Sequence, residues 1–178
     1  MNYQRETLVA TLRQHGVTYL APSDAMLLEP APDDAALVLA LVSQSDSRLQ
    51  LALVLLFIRR PELAQIVERL VSQLEPALAL DLKTYYMAAV YLQRLWRTRL
   101  GFYIDNTRLL PDLFSQEMGL PPADERFGKT GLYYLADMWK ARSRYPFNRL
   151  ASLTITIDLF FGQLQLEQSG KYMRQRSD

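Results

Sequence analysis

From Asp46 to Arg60 the chain runs DSRLQLALVLLFIRR, and between Leu49 and Ile58 only Gln50 interrupts the apolar residues. A helix that is apolar nearly all the way round has no face to give to water, so other elements must surround it. The run is far short of the roughly 20 residues that cross a bilayer. It therefore predicts a central, buried helix over residues 46–60, with the rest of the chain wrapped about it. Pro61 closes this helix and opens another. In PELAQIVERLVSQLEP the apolar Leu63, Ile66, Val67, Leu70, Val71 and Leu74 keep helical spacing, while Glu62, Gln65, Glu68, Arg69 and Gln73 fall opposite.

The punctuation elsewhere is that of helices joined by short turns. Leu8, Val9 and Leu12 share one side of residues 3–15, which stop at Gly16, a residue suited to a helix C-terminus. Residues 17–32 hold three prolines and form an irregular connector, with one short turn of helix after Ser23. Asp33 and Asp34 follow Pro32 and suit a helix start, where carboxylates meet unsatisfied amides and the positive end of the dipole. They are expected as caps, not catalysts. PDLFSQEMG predicts a short helix between Pro111 and Gly119, and LPPADERFGKTG a long loop. Residues 131–144 give a helix with Leu132, Leu135, Ala136 and Trp139 on one face.

The final segment carries two periods. LTITIDLFF alternates like a strand, yet over a longer window Leu150, Leu153, Ile157, Phe160, Phe161 and Leu164 repeat at helical spacing, and Asn148 supplies a cap. Helix is preferred, because an isolated strand would have no partner. The tail SGKYMRQRSD is expected to fray or make contacts. The expected fold is all-α: a single bundle of about seven or eight helices over residues 1–178, with residues 104–128 as the place where a subdomain boundary would fall. In its first half the junction LVSQSDSRLQLALVLL, with Asp46 in a turn between two apolar helices, resembles a HEAT-type helical hairpin. The resemblance covers about 30 residues. It implies stacked antiparallel helices, a common platform for protein contacts.

Charge and aromatic residues gather in the second half. Residues 1–80 hold six Lys and Arg against nine Asp and Glu, whereas residues 81–178 hold fourteen against ten, together with 16 of the 19 aromatic residues. YYMAAVYLQRLWRTRLGFY, residues 85–103, concentrates both. On a helix from about Leu82 to Tyr103, Lys83, Arg94, Arg97 and, if the helix continued, Arg108 lie along one stripe; Ala88, Leu92, Leu95 and Trp96 lie along another. Two readings stay open: a core helix with a solvated basic edge, or a surface for phosphates or acidic side chains. A second basic cluster, Lys140, Arg142, Arg144 and Arg149 with Tyr145 and Phe147, sets cations beside rings on which bases could stack. The candidate contact surface is thus Lys83, Arg94, Arg97, Lys140, Arg142, Arg144 and Arg149.

Catalytic signals are weak. There is no cysteine and one histidine, His15, expected to be exposed or lightly capping. No Glu-x-x-His spacing, Gly-x-Ser-x-Gly elbow or Arg-x(4–6)-His pattern occurs, so neither metal nor cofactor is expected. Gly128-Lys129-Thr130 has the lettering of a phosphate-binding loop, but the fuller motif needs a glycine where Ala123 stands. The N-terminus has Arg5 and Glu6 where an export signal would be apolar, and a cytoplasmic location is the expectation. Two functions remain. The first is a non-enzymatic helical interaction module, a protein-binding adaptor or a regulatory, neutralising partner of antitoxin-like kind. The alternative is a nucleic-acid-binding protein using the basic, aromatic residues 83–149.

Overall fold

The computed structural model describes residues 3–20, 30–104, 108–142 and 147–175, with side chains as far as residue 170. Eight α-helices occur among them and no strand: α1 (Arg5–Gln14), α2 (Asp34–Val42), α3 (Ser47–Arg59), α4 (Ala64–Val71), α5 (Pro76–Leu95), α6 (Arg97–Tyr103), α7 (Lys129–Arg142) and α8 (Arg149–Gln175). The all-α bundle expected from the periodicity is what forms. The short helix placed after Ser23 lies outside the described residues.

At the centre stand α3 and α5, packed on one another. Every residue from Leu51 to Ile58 is buried, as the apolar run demands, and so is every residue from Thr84 to Gln93. Around α3 lie α1, α2 and α8; around α5 lie α4 and α7. One hydrophobic cluster extends from Leu8 to Leu164 through all of these layers. Burial of this apolar area is the main force holding the bundle together.

Local chemistry sets the helix limits. Asp33 caps α2 by accepting from Ala36 N at 2.8 Å, and Asp46 caps α3 by accepting from Arg48 N at 2.9 Å. Pro61 opens a 3-10 turn, Pro61–Leu63, that leads into α4. Asn148 caps α8 through Ala151 N at 3.0 Å, and Leu153, Ile157, Phe160, Phe161 and Leu164 enter the core, so the longer period prevails over the alternation. The Pro111–Gly119 segment is turns, not the short helix its prolines and glycine suggested.

Two expectations about α5 are corrected. It begins at Pro76, not near Leu82, because proline is well placed at the first helical position. It also ends before Tyr103: Trp96, at φ −107° and ψ 17°, breaks the helix. Beyond the break α6 packs against α8, with Trp96 edge-on to Phe161 at 5.6 Å and the Arg99 guanidinium 3.9 Å from the Phe161 ring centre. Arg97 therefore loses its phase with Arg94.

Asp34 also departs from its expected role, whereas His15 stands at the C-terminal cap of α1, within its expected role. Asp34 is not a cap: it forms a two-point ion pair with Arg60, at 2.6 and 2.9 Å, that joins the start of α2 to the end of α3. His15 is half-buried, with Nδ1 3.1 Å from Arg60 Nη1. A guanidinium only donates, so this nitrogen is the acceptor and the ring is neutral. Burial, then the Arg60 charge, lowers the His15 pKa from its ordinary 6.5, outweighing Asp34; the Arg60 hydrogen bond lowers that of Asp34. Both groups thus bind protons more weakly folded than unfolded, and stability must fall with pH. The loss through His15 sets in below about pH 6.5, and that through Asp34 further into acid, below the ordinary carboxylate range. Thermal melts between pH 7.5 and 5 should show Tm falling, with a shallower fall in His15→Gln. An identical slope in the variant would remove His15 from the account.

Candidate interaction surfaces

The aromatic helix α5 turns out to hold the chain that follows it. Tyr86 donates its hydroxyl to the Pro111 carbonyl at 2.9 Å and Tyr91 to that of Pro121 at 2.7 Å. Gln93, fully buried, accepts from Leu110 N at 2.7 Å and donates to the Arg108 carbonyl at 2.9 Å. Burial raises the pKa of both tyrosines above the ordinary phenolic range, so they remain donors at physiological pH. Asp112 completes the arrangement by accepting from Ser115 N, Ser115 Oγ and Ala123 N. Residues 108–124, which overlap the expected 104–128 boundary, are thereby fastened to the core through the backbone groups of Arg108, Leu110, Pro111, Pro121 and Ala123.

This changes the standing of the basic stripe. Arg94, expected at a solvated edge, has a side chain only 10% exposed; it donates from Nη2 to the Leu110 carbonyl at 2.8 Å and from Nε to Asp124 at 3.0 Å. Lys83 pairs with Glu117 and lies 5.6 Å from the Phe114 ring centre. Arg97 stands exposed at the first position of α6. Arg142 pairs with Asp81 at 3.1 Å, Lys140 is exposed, and Arg144 and Tyr145 lie outside the described residues. The guanidinium of Arg149 stacks 4.8 Å from the Trp139 ring centre and 5.7 Å from that of Phe147, with its buried Nε making no hydrogen bond. Of the six that are described, Lys83, Arg94 and Arg142 are tied to acidic side chains and Arg149 to rings, which leaves Arg97 and Lys140 as the exposed cations of the set.

Arg94→Glu should consequently cost about 2–3 kcal/mol, because it removes charged hydrogen bonds and sets a carboxylate against the Leu110 carbonyl and Asp124. Arg97→Glu should stay within about 0.5 kcal/mol, since an acid in the first turn suits the helix dipole. Urea denaturation of the two single variants measures the contrast; equal stabilities would show that Arg94 fastens nothing.

The phosphate-loop lettering has a steric explanation. Gly131 lies so close to α5 that a Cβ there would meet the Tyr91 ring at 2.1 Å, and one on Gly128, at φ +81°, would meet the Tyr91 carbonyl at 2.5 Å. The preceding Arg126 and Phe127 also adopt positive φ, 45° and 58°, which leaves Phe127 exposed at the head of α7. These glycines let the start of α7 lie directly against Tyr91 of α5.

Two exposed surfaces then remain as candidates. On the outer face of α7, Tyr133 and Lys140 line a 280 Å³ cleft with Asp137, Phe147, Asn148 and Arg149. Tyr134 and Lys129 are exposed on the same helix. On α8, Ile155, Leu159 and Leu166 are 60%, 50% and 75% exposed, on the side away from the core residues. With Gly162 they border an open groove of about 690 Å³ whose other wall is Thr18 and Tyr19. Gln163 anchors this wall by accepting from Thr18 N at 2.9 Å and donating to the Gly16 carbonyl at 2.7 Å. The sequence reading missed this groove. Its signal was present in Ile155 and Leu159, two apolar residues that the core stripe of α8 does not use.

Among the described residues no group of three His, Cys, Asp or Glu is placed to hold a metal ion, and no helix is long and apolar enough to cross a membrane. No family model, curated protein or solved structure matches this chain.

Proposed function

We propose that this chain is a non-enzymatic helical interaction module of the cytoplasm that binds another protein, as an adaptor or as a regulatory, neutralising partner of antitoxin-like kind. The observation that carries the reading is the exposed stripe Ile155, Leu159 and Leu166 beside an open groove. Large apolar side chains lined up in water are a common mark of contact sites. Chemistry has less support, because the side chain of the one histidine is engaged by Arg60.

The second reading, nucleic-acid binding, draws on the outer face of α7. There Tyr133, Tyr134 and Phe147 offer rings, and Lys129 and Lys140 offer charge, the combination that holds single strands. Asp137 in the same cleft weakens it.

Affinity capture from the native cell, with and without nuclease, separates the two. The expected result is a protein partner that resists nuclease and is lost when Leu159 and Leu166 are both changed to Asp. Disappearance of all captured material after nuclease would transfer the function to the α7 face, and binding there should weaken log-linearly with salt as counterions are released.

A further inference from the structure

The spacing along the exposed side of α8 specifies more than apolarity. Ile155, Leu159, Gly162 and Leu166 follow one another at intervals of four, three and four, the seam that a second helix packs against in a coiled coil. From Ile155 to Leu166 this seam is about 17 Å long. Gly162 is exposed, and a Cβ built on it would meet nothing within 4 Å. A glycine inside a helix is unfavourable by itself. Here it leaves a notch in the seam where an incoming side chain can seat.

The charges around the seam select the visitor. Between Arg149 and Lys171, α8 contains Asp158 and Glu167 and no Lys or Arg. Asp158 lines the groove and is exposed; Glu167 lines it as well, held by Arg59 at 3.1 Å. With Glu167 countered by Arg59, a second copy of this chain would bring the exposed Asp158 carboxylates of both molecules to one seam. Like charges so placed oppose association.

Deepening the protein-binding reading on which it rests, we propose that the α8 groove receives an amphipathic helix of a partner protein, with a bulky apolar residue over Gly162 and lysine or arginine beside its seam, facing Asp158. Apolar anchors supply the affinity, and the acidic border chooses a basic helix over an acidic one.

Two synthetic 21-residue helical peptides test this, sharing a leucine seam and differing only in having lysine or glutamate at the flanking positions. Fluorescence anisotropy at low salt should show the lysine peptide binding the full chain at least tenfold more tightly. Leu159→Lys should weaken it tenfold or more, and Asp158→Lys should cut the preference at least threefold. Both sites are exposed, so an unchanged thermal melt confirms that each variant is folded. Equal binding of the two peptides overturns the charge selection. Binding of neither overturns the groove as a helix site; the module reading survives that failure if a nuclease-resistant partner is still captured regardless of Leu159→Lys, and falls with it if none is. A dimer in sedimentation equilibrium that Leu159→Lys dissolves would make a second copy the occupant and overturn the proposal.

Discussion

Gly131→Ala is expected to destabilise the fold by about 3 kcal/mol, a large effect for a single methyl group. The added carbon would stand 2.1 Å from the Tyr91 ring, well inside van der Waals contact. Tyr91 cannot swing aside, because it is fully buried and its hydroxyl is bonded to the Pro121 carbonyl. Either α7 moves off α5 or the 121–124 turn loses its anchor. Urea denaturation gives the size of the effect. A double variant with Tyr91→Leu should lose less than the two single changes added together, because they share one contact. Full additivity, or a Gly131→Ala protein as stable as the parent, would mean that α7 and α5 are not in the close approach described.

The second large effect is expected from Leu53→Asp. Leu53 is fully buried in the middle of α3, the helix that α1, α2, α5 and α8 all touch. A carboxylate there has no partner, and burying it or taking up a proton to avoid the charge each costs several kcal/mol. That is comparable with the whole stability of a domain of this size. Circular dichroism should show loss of the cooperative melt. A normal melt would place residues 46–60 at an exposed face, contrary to the observed packing.

What could be read beforehand divides along physical lines. Periodicity reports which face of a helix is apolar, so α3 and α4 were legible from spacing, whereas α8 also needed the argument that a lone strand would have no partner. It says nothing of the partner that a polar residue will find. Arg94 looks like a member of a solvated stripe until residues 108–124 fold back over it. Gln93 gave a faint sign, a single amide among the apolar residues of α5, and it became the buried clamp on Leu110. The break at Trp96 was invisible because the apolar pattern continues through it, and beyond it α6 packs against α8. Gly128-Lys129-Thr130 has the lettering of part of a phosphate loop, set aside because Ala123 stands where the motif needs glycine; lettering could not show that Gly128 instead admits a neighbouring helix. As for the α8 groove, Ile155 and Leu159 appeared beside Leu153 and Ile157 as the apolar half of an alternation, and attention to the core stripe concealed the second stripe that they begin.

The clamp by which Gln163 holds the Gly16 carbonyl and Thr18 N has a consequence for the order in which this protein can be completed. These bonds join residues 147 and 145 positions apart. Contacts so distant in the chain close late, since the entropy of the intervening loop must be overcome first. During synthesis α3 and α6 leave the ribosome well before the helix that covers them, and domains assemble only as their segments emerge. Until α8 follows, part of the apolar surface of α3 and α6 stays open. The nascent chain is then most exposed to chaperones, and most prone to wrong association, in the interval between the emergence of α7 and that of Leu164.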